Sequence, residues 1–229
     1  MEYGFGLHWD FRESQCPKYI TVEGPIGVGK TTLARHLAVT FGSQLILEKA
    51  EENPFLANFY ANPGQSALPN QLFFLFQRIQ QLQELQDLDQ TELFENTFVA
   101  DFLMAKDQLF AEITLDKDEL LLYEQVADKL KTKTVAPDLV VYLQAPTSVL
   151  IDRIQKRGVG YEQAINPEYL ERLNDAYTRY FLHYDESPLL IVNARDLDLA
   201  NNARDYQALV DYLLTIKNGR HFYNPAPLL

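Results

Sequence analysis

The sequence predicts an α/β fold of three layers, in which helices cover both faces of a central sheet of five parallel strands. Short β-rich segments alternate along the chain with segments of helical periodicity, an order that is typical of parallel sheets. A glycine-rich stretch, 24–32, stands between the first strand and the first helix. The chain has 229 residues, 47% of them hydrophobic, which is enough for one such domain with a full core.

The first unit is a strand, a tight loop and a helix. Residues 19–22 are rich in β-forming side chains. Leu33, Leu37 and Phe41 then recur at helical spacing, and Gly42 is a suitable stop for that helix. The pattern Gly-x-x-x-x-Gly-Lys-Thr between them is that of a phosphate-binding loop, although a chance glycine-rich turn before a helix is the alternative.

The chemistry of phosphate binding explains the residue types in this loop. Glycines let backbone N–H groups converge on phosphate oxygens, and the helix N-terminus adds partial positive charge. Lys30 is predicted to reach the β- and γ-phosphates, and the Thr31 hydroxyl to ligate Mg²⁺. The predicted phosphate-binding residues are Gly24, Pro25, Ile26, Gly27, Val28, Gly29, Lys30, Thr31 and Thr32.

The rest of the chain supplies the other strands and helices. Further strands are predicted at 44–48, 97–100, 138–143 and 189–192. Further helices are predicted at 70–88, from Asp116 or Asp118 to about 130, and at 147–157, 167–183 and 206–216. Pro63, Gly64 and Pro69 predict a loop before the first of these helices. Ligands of parallel sheets bind beyond the carboxyl ends of strands, where the phosphate loop, Glu48 and Asp101 all fall.

Composition excludes several classes of protein. The formal charge of −12 and the pI of about 4.7 argue against a polymeric nucleic-acid partner, which needs a basic face. One cysteine, Cys16, excludes an internal disulfide, and the four histidines form no metal-ligand motif. The sequence shows no long apolar run and no signal-peptide pattern. We therefore expect a soluble protein of a reducing compartment, the cytoplasm, without a membrane partner.

Two regions lie outside the alternation of strands and helices. Residues 1–17 are aromatic and non-periodic, which predicts an N-terminal extension of the main domain, 18–229, with Trp9 as a packing anchor. The long helix at 70–88 carries an apolar stripe at helical spacing. The stripe consists of Leu72, Leu75, Phe76, Ile79, Leu82 and Leu85.

Motifs beyond the phosphate loop separate the families that share it. The chain has no Asn-Lys-x-Asp guanine signature. It does have Glu-Lys-Ala-Glu-Glu-Asn-Pro at 48–54, Phe-Tyr at 59–60, Gln71 and Arg78 on the next helix, and Arg-Ile-Gln-Lys-Arg-Gly at 153–158. From about residue 18 to residue 214 the chain resembles the deoxyribonucleoside kinase family, and in particular its bacterial deoxyadenosine and deoxyguanosine kinases.

This resemblance implies a three-layer P-loop kinase fold with a small arginine-containing lid at about 153–165. The implied reaction is nucleotide salvage, in which the γ-phosphate of ATP, bound with Mg²⁺, passes to the 5′-OH of a small-molecule 2′-deoxyribonucleoside, with a purine base favoured. Family members are typically homodimers formed through long helices, a role that the apolar stripe can serve.

The resemblance also implies catalytic roles for acidic residues. Glu48 matches the glutamate that accepts the proton of the sugar 5′-OH, and a carboxylate at a strand end can reach such a hydroxyl. Glu51 and Glu52 are the neighbouring alternatives. Many members carry Glu/Asp-Arg-Ser after the third strand, whereas this chain lacks the arginine. Asp101 is therefore expected to hold Mg²⁺ or to polarise the 5′-OH, together with Lys106.

Five residues receive substrate-binding roles in the same way. Tyr60 and Glu162 match the pair that holds the sugar 3′-OH. Gln71 offers a donor and an acceptor suited to a base edge, and Arg78 matches the arginine beside the base. Phe110 is expected to stack on the base, with a place in the core as the alternative.

The lid supplies cations. Arg153 and Arg157 lie four residues apart on a helix, so both are expected to point one way and clamp the transferring phosphate, with solvated surface arginines as the alternative. Val159 stands where the family has a further arginine. Two rival functions remain: a nucleoside monophosphate kinase, which needs an extra basic site that the sequence does not show, and a non-catalytic nucleotide sensor, which the missing arginines favour.

Overall fold

The computed structural model describes residues 3–7, 9, 16–86, 97–104, 106–130 and 135–225. Its strands are β1 (Tyr19–Glu23), β2 (Gln44–Ile46), β3 (Phe98–Ala100), β4 (Leu139–Gln144), β5 (Leu189–Asn193) and β6 (Arg220–Tyr223). Its α-helices are α1 (Lys30–Phe41), α2 (Leu56–Ala61), α3 (Pro63–Gln86), α4 (Lys106–Thr114), α5 (Lys117–Lys129), α6 (Thr147–Arg157), α7 (Pro167–His183) and α8 (Ala203–Leu213). The predicted α/β class is confirmed.

The strands form one parallel sheet in the order β2-β3-β1-β4-β5-β6. The chain goes from β1 to the edge strand β2, returns to β3 beside β1, and then crosses to β4 and continues outward to β6. Ligands of such sheets bind at the carboxyl edge, beside the point where the strand order reverses. The sheet has six strands, not the five predicted. The additional strand, β6, has alternately exposed residues and no apolar run, so its pairing with β5 alone defines it.

The core lies around β4 and β5. The first five residues of β4 are all buried, as expected for a strand with helices on both faces. Aromatic side chains of α7 cover one face: the ring of Phe181 stacks on Tyr142 at 4.2 Å, with Tyr177 beside it. No helix in the described part of the chain is both long and apolar enough to cross a membrane.

Helix α3 begins earlier than its sequence suggests. Its first residue is Pro63, so the predicted loop before residue 70 is wrong. Proline is favourable at the first helical position, but Pro69 lies inside the helix and lacks a backbone donor. The turn between the two prolines is nevertheless helical because Ser66 and Ala67 are buried, Ala67 in a cluster with the apolar side chains of α2.

Polar caps set the starts of two other helices. Asp116, one of the two predicted caps, begins α5 by accepting hydrogen bonds from two backbone N–H groups of the first turn, at 2.9 Å each. Helix α8 begins at Ala203, three residues before the predicted start, because the side chain of Asn202 caps it. The predicted end of α3 and the side chains of Leu82 and Leu85 lie outside the described residues.

The N-terminal residues pack on helices α1 and α8. The ring of Phe5 stacks on His36 of α1 at 4.6 Å, and the backbone N–H of Gly4 donates to His36 Nδ1 at 2.8 Å. Burial lowers the pKa of His36, which suits a neutral ring that accepts this hydrogen bond. Trp9 donates from its indole N–H to Asp211 of α8 at 2.8 Å. The described N-terminal residues therefore form part of the same packed body.

Candidate active site

The phosphate loop leaves the carboxyl end of β1 and turns into α1. Gly24 and Gly27 have φ angles of 146° and 83°, which residues with a side chain rarely adopt. A Cβ on Gly24 would lie 2.5 Å from the carbonyl oxygen of Leu143, and a Cβ on Gly27 would lie 2.9 Å from that of Leu150. The loop therefore packs directly against β4 and α6, and both positions require glycine.

Lys30, the first residue of α1, points back into this loop. Its Nζ donates to the carbonyl oxygens of Gly24 at 2.7 Å and Pro25 at 3.2 Å. Desolvation lowers the pKa of Lys30 to about 8, and the nearby charge of Lys106 contributes to this shift. The ammonium group thus lies inside the curve of the loop, a position suited to contact with phosphate oxygens.

Thr31 and Asp101 meet across the carboxyl ends of β1 and β3. The Thr31 hydroxyl donates to Asp101 Oδ2 at 2.5 Å, and the backbone N–H of Glu48 donates to Asp101 Oδ1 at 2.7 Å. Burial raises the pKa of Asp101, and the hydrogen bond from Thr31 opposes that shift. Within the described residues, no group of three or more His, Cys, Asp or Glu side chains could hold a metal. One hydroxyl and one carboxylate fit Mg²⁺, which keeps water and phosphate oxygens as its other ligands.

Glu48 follows β2 and is held by two cations. Its Oε1 pairs with Arg78, and its Oε2 accepts from Lys106 Nζ at 2.8 Å. Burial opposes the carboxylate charge, but the two cations hold the pKa of Glu48 well below its usual range. The alternatives differ: Glu51 and Glu52 are exposed, and Glu52 pairs with a lysine at the surface. The structure therefore places Glu48 beside the phosphate loop.

Arg78 bridges two carboxylates. Its side chain is 3% exposed and pairs with Glu48 through one terminal nitrogen and with Asp107 through the other. Burial opposes its charge, but Asp107 and Glu48 raise the pKa of Arg78 above its ordinary value. Burial also raises the pKa of Asp107 to about 6, although Arg78 counteracts the shift. The guanidinium lies 5.3 Å from the ring centroid of Phe74.

One cavity brings most of the predicted site residues together. The predicted residues that line it are Ile26, Gly27, Lys30, Thr31, Glu48, Tyr60, Gln71, Arg78, Asp101, Phe110, Arg157 and Glu162. Gln71 is buried and donates from its amide to the Thr114 hydroxyl at 3.1 Å. Phe110 lines the cavity and also contacts Tyr177 of the core, and its stacking on a base stays a prediction. The apolar side chains of Leu56, Phe59, Phe74 and Tyr169 complete the wall.

Tyr60 of α2 and Glu162 both line the cavity, and their two segments pack against each other. The ring of Tyr60 stacks with that of Tyr161, with centroids 6.2 Å apart. Burial raises the pKa of Tyr60, and Tyr169 and Glu162 add to the shift, so the phenol stays protonated and can donate. Glu162 is 9% exposed and accepts from Arg157. A phenol and a carboxylate are thus available to one polar group of a ligand.

The two lid arginines do not both reach the acceptor cavity. Arg157 lines it, whereas Arg153 is not among its lining residues. Both arginines line a second cavity behind the phosphate loop. The Arg153 guanidinium donates to backbone carbonyls of Val28 at 3.2 Å and Ala194 at 2.7 Å. Backbone carbonyls after β5 therefore hold the Arg153 side chain away from the acceptor cavity. The four-residue spacing of the two arginines could not predict these contacts. The phosphate-loop residues that line the second cavity are Gly27, Val28, Gly29 and Thr32.

Three further charged residues belong to the site: Glu23 and Asp107, for which no role was predicted, and Lys106, which was predicted only to assist Asp101. Glu23 is 1% exposed and accepts from the backbone N–H groups of Gly24 at 2.9 Å and Leu103 at 2.7 Å, which ties the phosphate loop to the segment after β3. In the sequence, only the position of this acidic residue at the end of β1 pointed to a role for Glu23. A Lys-Asp pair at a helix start is typical of an exposed first turn. Only their burial in the structure distinguishes Lys106 and Asp107 from such surface residues.

Comparison with known proteins identifies the family of this chain. A family model described as deoxynucleoside kinase matches residues 20–216. Deoxyguanosine kinase of Bacillus subtilis (strain 168) is 32% identical over 202 residues, which cover 85% of this chain and 95% of that protein. The deoxyadenosine/deoxycytidine kinase of the same organism is 27% identical, with 90% and 96% covered.

Solved structures give the same result. A structure of deoxyadenosine kinase from M. mycoides with bound dATP matches with a TM-score of 0.73 at 26% identity, over 85% of this chain and 98% of that chain. The structure from M. mycoides with bound dCTP has the same TM-score at 25% identity. The chain therefore belongs to the deoxynucleoside kinase family and is an ATP-dependent enzyme that phosphorylates deoxynucleosides.

Proposed function

We propose that this kinase transfers the γ-phosphate of Mg·ATP to the 5′-OH of a purine 2′-deoxyribonucleoside, in nucleotide salvage in the cytoplasm. The observation that carries the proposal is the position of Glu48. Its carboxylate shares one cavity with Lys30 of the phosphate loop and with Tyr60 and Gln71, whose polar groups suit an acceptor. A carboxylate between a phosphate loop and a polar cavity supports transfer from a phosphate to a hydroxyl.

The donor side consists of the phosphate loop and the residues around it. Backbone N–H groups and Lys30 bind the phosphates, while Thr31 and Asp101 hold Mg²⁺. Held by these two residues, Mg²⁺ would offset part of the negative charge of the phosphates. Arg157 lies at the border of both cavities and can contact the transferring group, and Arg153 supports the loop from the other side.

Glu48 acts on the acceptor. It accepts the proton of the 5′-OH, the 5′-oxygen bonds to the γ-phosphorus, and the bond from that phosphorus to the leaving ADP oxygen breaks with its electron pair on ADP. Arg78 and Lys106 hold the carboxylate in place. Catalysis rests mainly on position and charge, because phosphoryl transfer requires little covalent chemistry from the protein.

Substrate choice follows from the polar groups of the cavity. Tyr60 and Glu162 hold the 3′-OH of the sugar, Gln71 and Arg78 meet the base, and Phe110 contacts its face. The purine preference is supported by relatives that are named deoxyguanosine kinase and deoxyadenosine kinase. One relative is named deoxyadenosine/deoxycytidine kinase, and the measured ranking of bases tests the purine preference directly.

We also propose that the enzyme is a homodimer formed through the surface of α3 and α5. Phe76 of α3 is 53% exposed, and Leu121 and Leu122 of α5 are 51% and 49% exposed. The two helices pack against each other, and both carry exposed apolar side chains. Exposed apolar surface of this kind is typical of protein–protein contacts.

The decisive experiment is a panel of acceptors with ATP and Mg²⁺. We expect kcat/KM to be highest for deoxyadenosine or deoxyguanosine, lower for deoxycytidine and thymidine, and lower again for adenosine. Dideoxyadenosine should lose roughly 10- to 100-fold, because the buried groups that bind the 3′-OH are left unpaired. Formation of the 5′-monophosphate, followed by chromatography, is the readout.

Each alternative outcome has a distinct meaning. A pyrimidine nucleoside as the best acceptor contradicts the purine preference and leaves the 5′-OH kinase intact. Phosphorylation of nucleoside monophosphates alone contradicts the acceptor class. Tight ATP binding without transfer to any nucleoside contradicts the reaction itself and favours a nucleotide sensor.

A further inference from the structure

Lys106 is a buried cation that lines the acceptor cavity. It loses its carboxylate partner at the step in which Glu48 accepts a proton. It is the first residue of α4, and its side chain is only 5% exposed. Its ammonium group lies 2.8 Å from Glu48 Oε2, on the carboxylate oxygen that Arg78 does not bind. Because a buried charge is costly without a partner, this ion pair explains how Lys106 is tolerated there.

The two cations that bind Glu48 differ in their other partners. Arg78 also pairs with Asp107, whereas in the described part of the chain the ion pair of Lys106 is with Glu48. When Glu48 accepts the hydroxyl proton, its negative charge disappears. Arg78 then keeps Asp107 as a partner, while the ammonium of Lys106 is left without its carboxylate.

Negative charge on the transferring phosphoryl group needs cations at the same moment. In phosphoryl transfer the charge of the transition state spreads over three equatorial oxygens of the moving group. Lys106 and Lys30 of the phosphate loop both line the acceptor cavity. Two ammonium groups in one cavity repel each other, and an anion bound between them offsets that repulsion, so this pair is suited to a phosphoryl group.

We propose that Lys106 is a catalytic residue, whose ammonium group passes from Glu48 to an oxygen of the transferring phosphoryl group as Glu48 accepts the 5′-OH proton. Lys106 keeps its own proton, and bond formation and cleavage occur as described for Glu48 above. The inference rests on the proposed function, since it requires a hydroxyl acceptor with Glu48 as its base. The competing role is purely positional: Lys106 would act only by holding the Glu48 carboxylate in place.

A double-mutant cycle separates the two roles. Lys106→Met, Glu48→Gln and the double variant are compared by single-turnover phosphorylation at saturating deoxynucleoside and ATP. A positional Lys106 has no carboxylate to hold once Glu48 is replaced, so Lys106→Met would then cost nothing further. Direct contact with the phosphoryl group predicts a loss of about 10²-fold in both backgrounds, typical of one lost charge-stabilising donor.

Matched controls guard against a folding defect. Lys106→Arg keeps the charge and should retain the rate within about tenfold of the native enzyme, unlike Lys106→Met. Lys117→Met changes an exposed lysine that is likewise the first residue of a helix, and should leave the rate unchanged. Thermal unfolding followed by circular dichroism checks that each variant is folded.

Binding supplies a second readout. Lys106→Met should weaken the complex of deoxynucleoside, ADP and aluminium fluoride about as much as it lowers the rate, and leave the separate affinities for ADP and deoxynucleoside unchanged. A Lys106→Met loss that vanishes in the Glu48→Gln background, or a native rate for Lys106→Met, overturns the inference. A native enzyme without deoxynucleoside transfer overturns the proposed function first and this role with it.

Discussion

The ionised side chains of the acceptor cavity owe their charge states to their neighbours. Burial raises the pKa of Asp107 to about 6, whereas Arg78 and Lys106 keep the pKa of Glu48 well below its usual range despite burial. The contribution of Asp107 to stability is therefore present at low pH and is lost as the pH rises through about 6. That of Glu48 is present above about pH 4.5, its ordinary pKa, and is lost at lower pH.

The titration of Lys30 should make kcat/KM for ATP fall on the basic side of its pH profile. Its pKa of about 8 predicts that kcat/KM for ATP falls as the pH rises through that value, because the free enzyme loses the ammonium group. We expect kcat to fall only at higher pH, since bound phosphates raise the pKa. Steady-state kinetics from about pH 6 to pH 10 measure both parameters.

Unfolding of the protein does not account for this fall of kcat/KM at high pH. The pKa of Lys30 is depressed from 10.5, so the unfolded chain binds this proton more tightly and the Lys30 contribution to stability rises between about pH 8 and 10.5. Lys106→Met removes a neighbouring charge and should move this fall to higher pH, whereas Lys117→Met should not move it. A kcat/KM that is flat to pH 9 in the native enzyme contradicts the assignment.

At the scale of elements, the unit of β1, loop and α1 prepares the donor site. Helix α1 starts at Lys30 immediately after the loop, so its free N–H groups and partial positive charge face the loop. The predicted stop at Gly42 is confirmed, with φ of 62°. On the far side, β4 and α6 press against the glycines, which couples the loop to the core.

Gly27→Ala tests this close packing. The new Cβ would meet Ile154 Cγ1 at 2.8 Å and the Leu150 carbonyl at 2.9 Å, with φ at 83°. We expect the free energy of unfolding to fall by about 1–3 kcal/mol, and ATP affinity to fall with it. Urea titrations measure the change as a lower midpoint at constant slope.

Gly64→Ala is the matched control. Gly64 lies in α3 without a positive φ, and a Cβ there would have no atom within 4 Å. The free energy of unfolding should stay unchanged or rise by up to about 1 kcal/mol, since alanine is the better helix former. Equal effects of the two substitutions would show that the loop is not packed as described.

At the scale of the whole molecule, parallel pairing assembles the site. Three neighbouring strands end at one edge, so the phosphate loop after β1, Glu48 after β2 and Asp101 after β3 lie together although they are far apart in the chain. Helices α2 and α3 close the acceptor cavity from outside the sheet, with Tyr60 on the first and Arg78 on the second.

The proposed dimer is testable on α3. Phe76→Glu places a charge on the proposed interface and should convert the dimer to a monomer at micromolar concentration, as measured by sedimentation velocity. Leu182→Glu, at a side chain 60% exposed on α7, should remain dimeric. A native enzyme that is monomeric rules out the dimer, and a dimeric Phe76→Glu variant rules out this surface.

The local pattern of the sequence determined the phosphate loop, the alternation that makes a parallel sheet, and caps such as Asp116. These depend on spacing and on residues with special backbone chemistry, which a linear sequence displays. It also placed Tyr60, Gln71 and Glu162 among the candidate ligand contacts through family resemblance. Their lining of one cavity agrees with that prediction, and their roles stay predictions.

Only the tertiary structure decided which charged side chains form ion pairs and where helices and strands with little sequence signal begin. Lys106 pairs with Glu48 across 58 positions of the chain, and carbonyls after β5 direct Arg153. The helical turn from Pro63 exists because Ser66 and Ala67 are buried, and β6 exists because β5 has a free edge. Burial and long-range pairing decide such features, and neither leaves a periodic signal in the residues themselves.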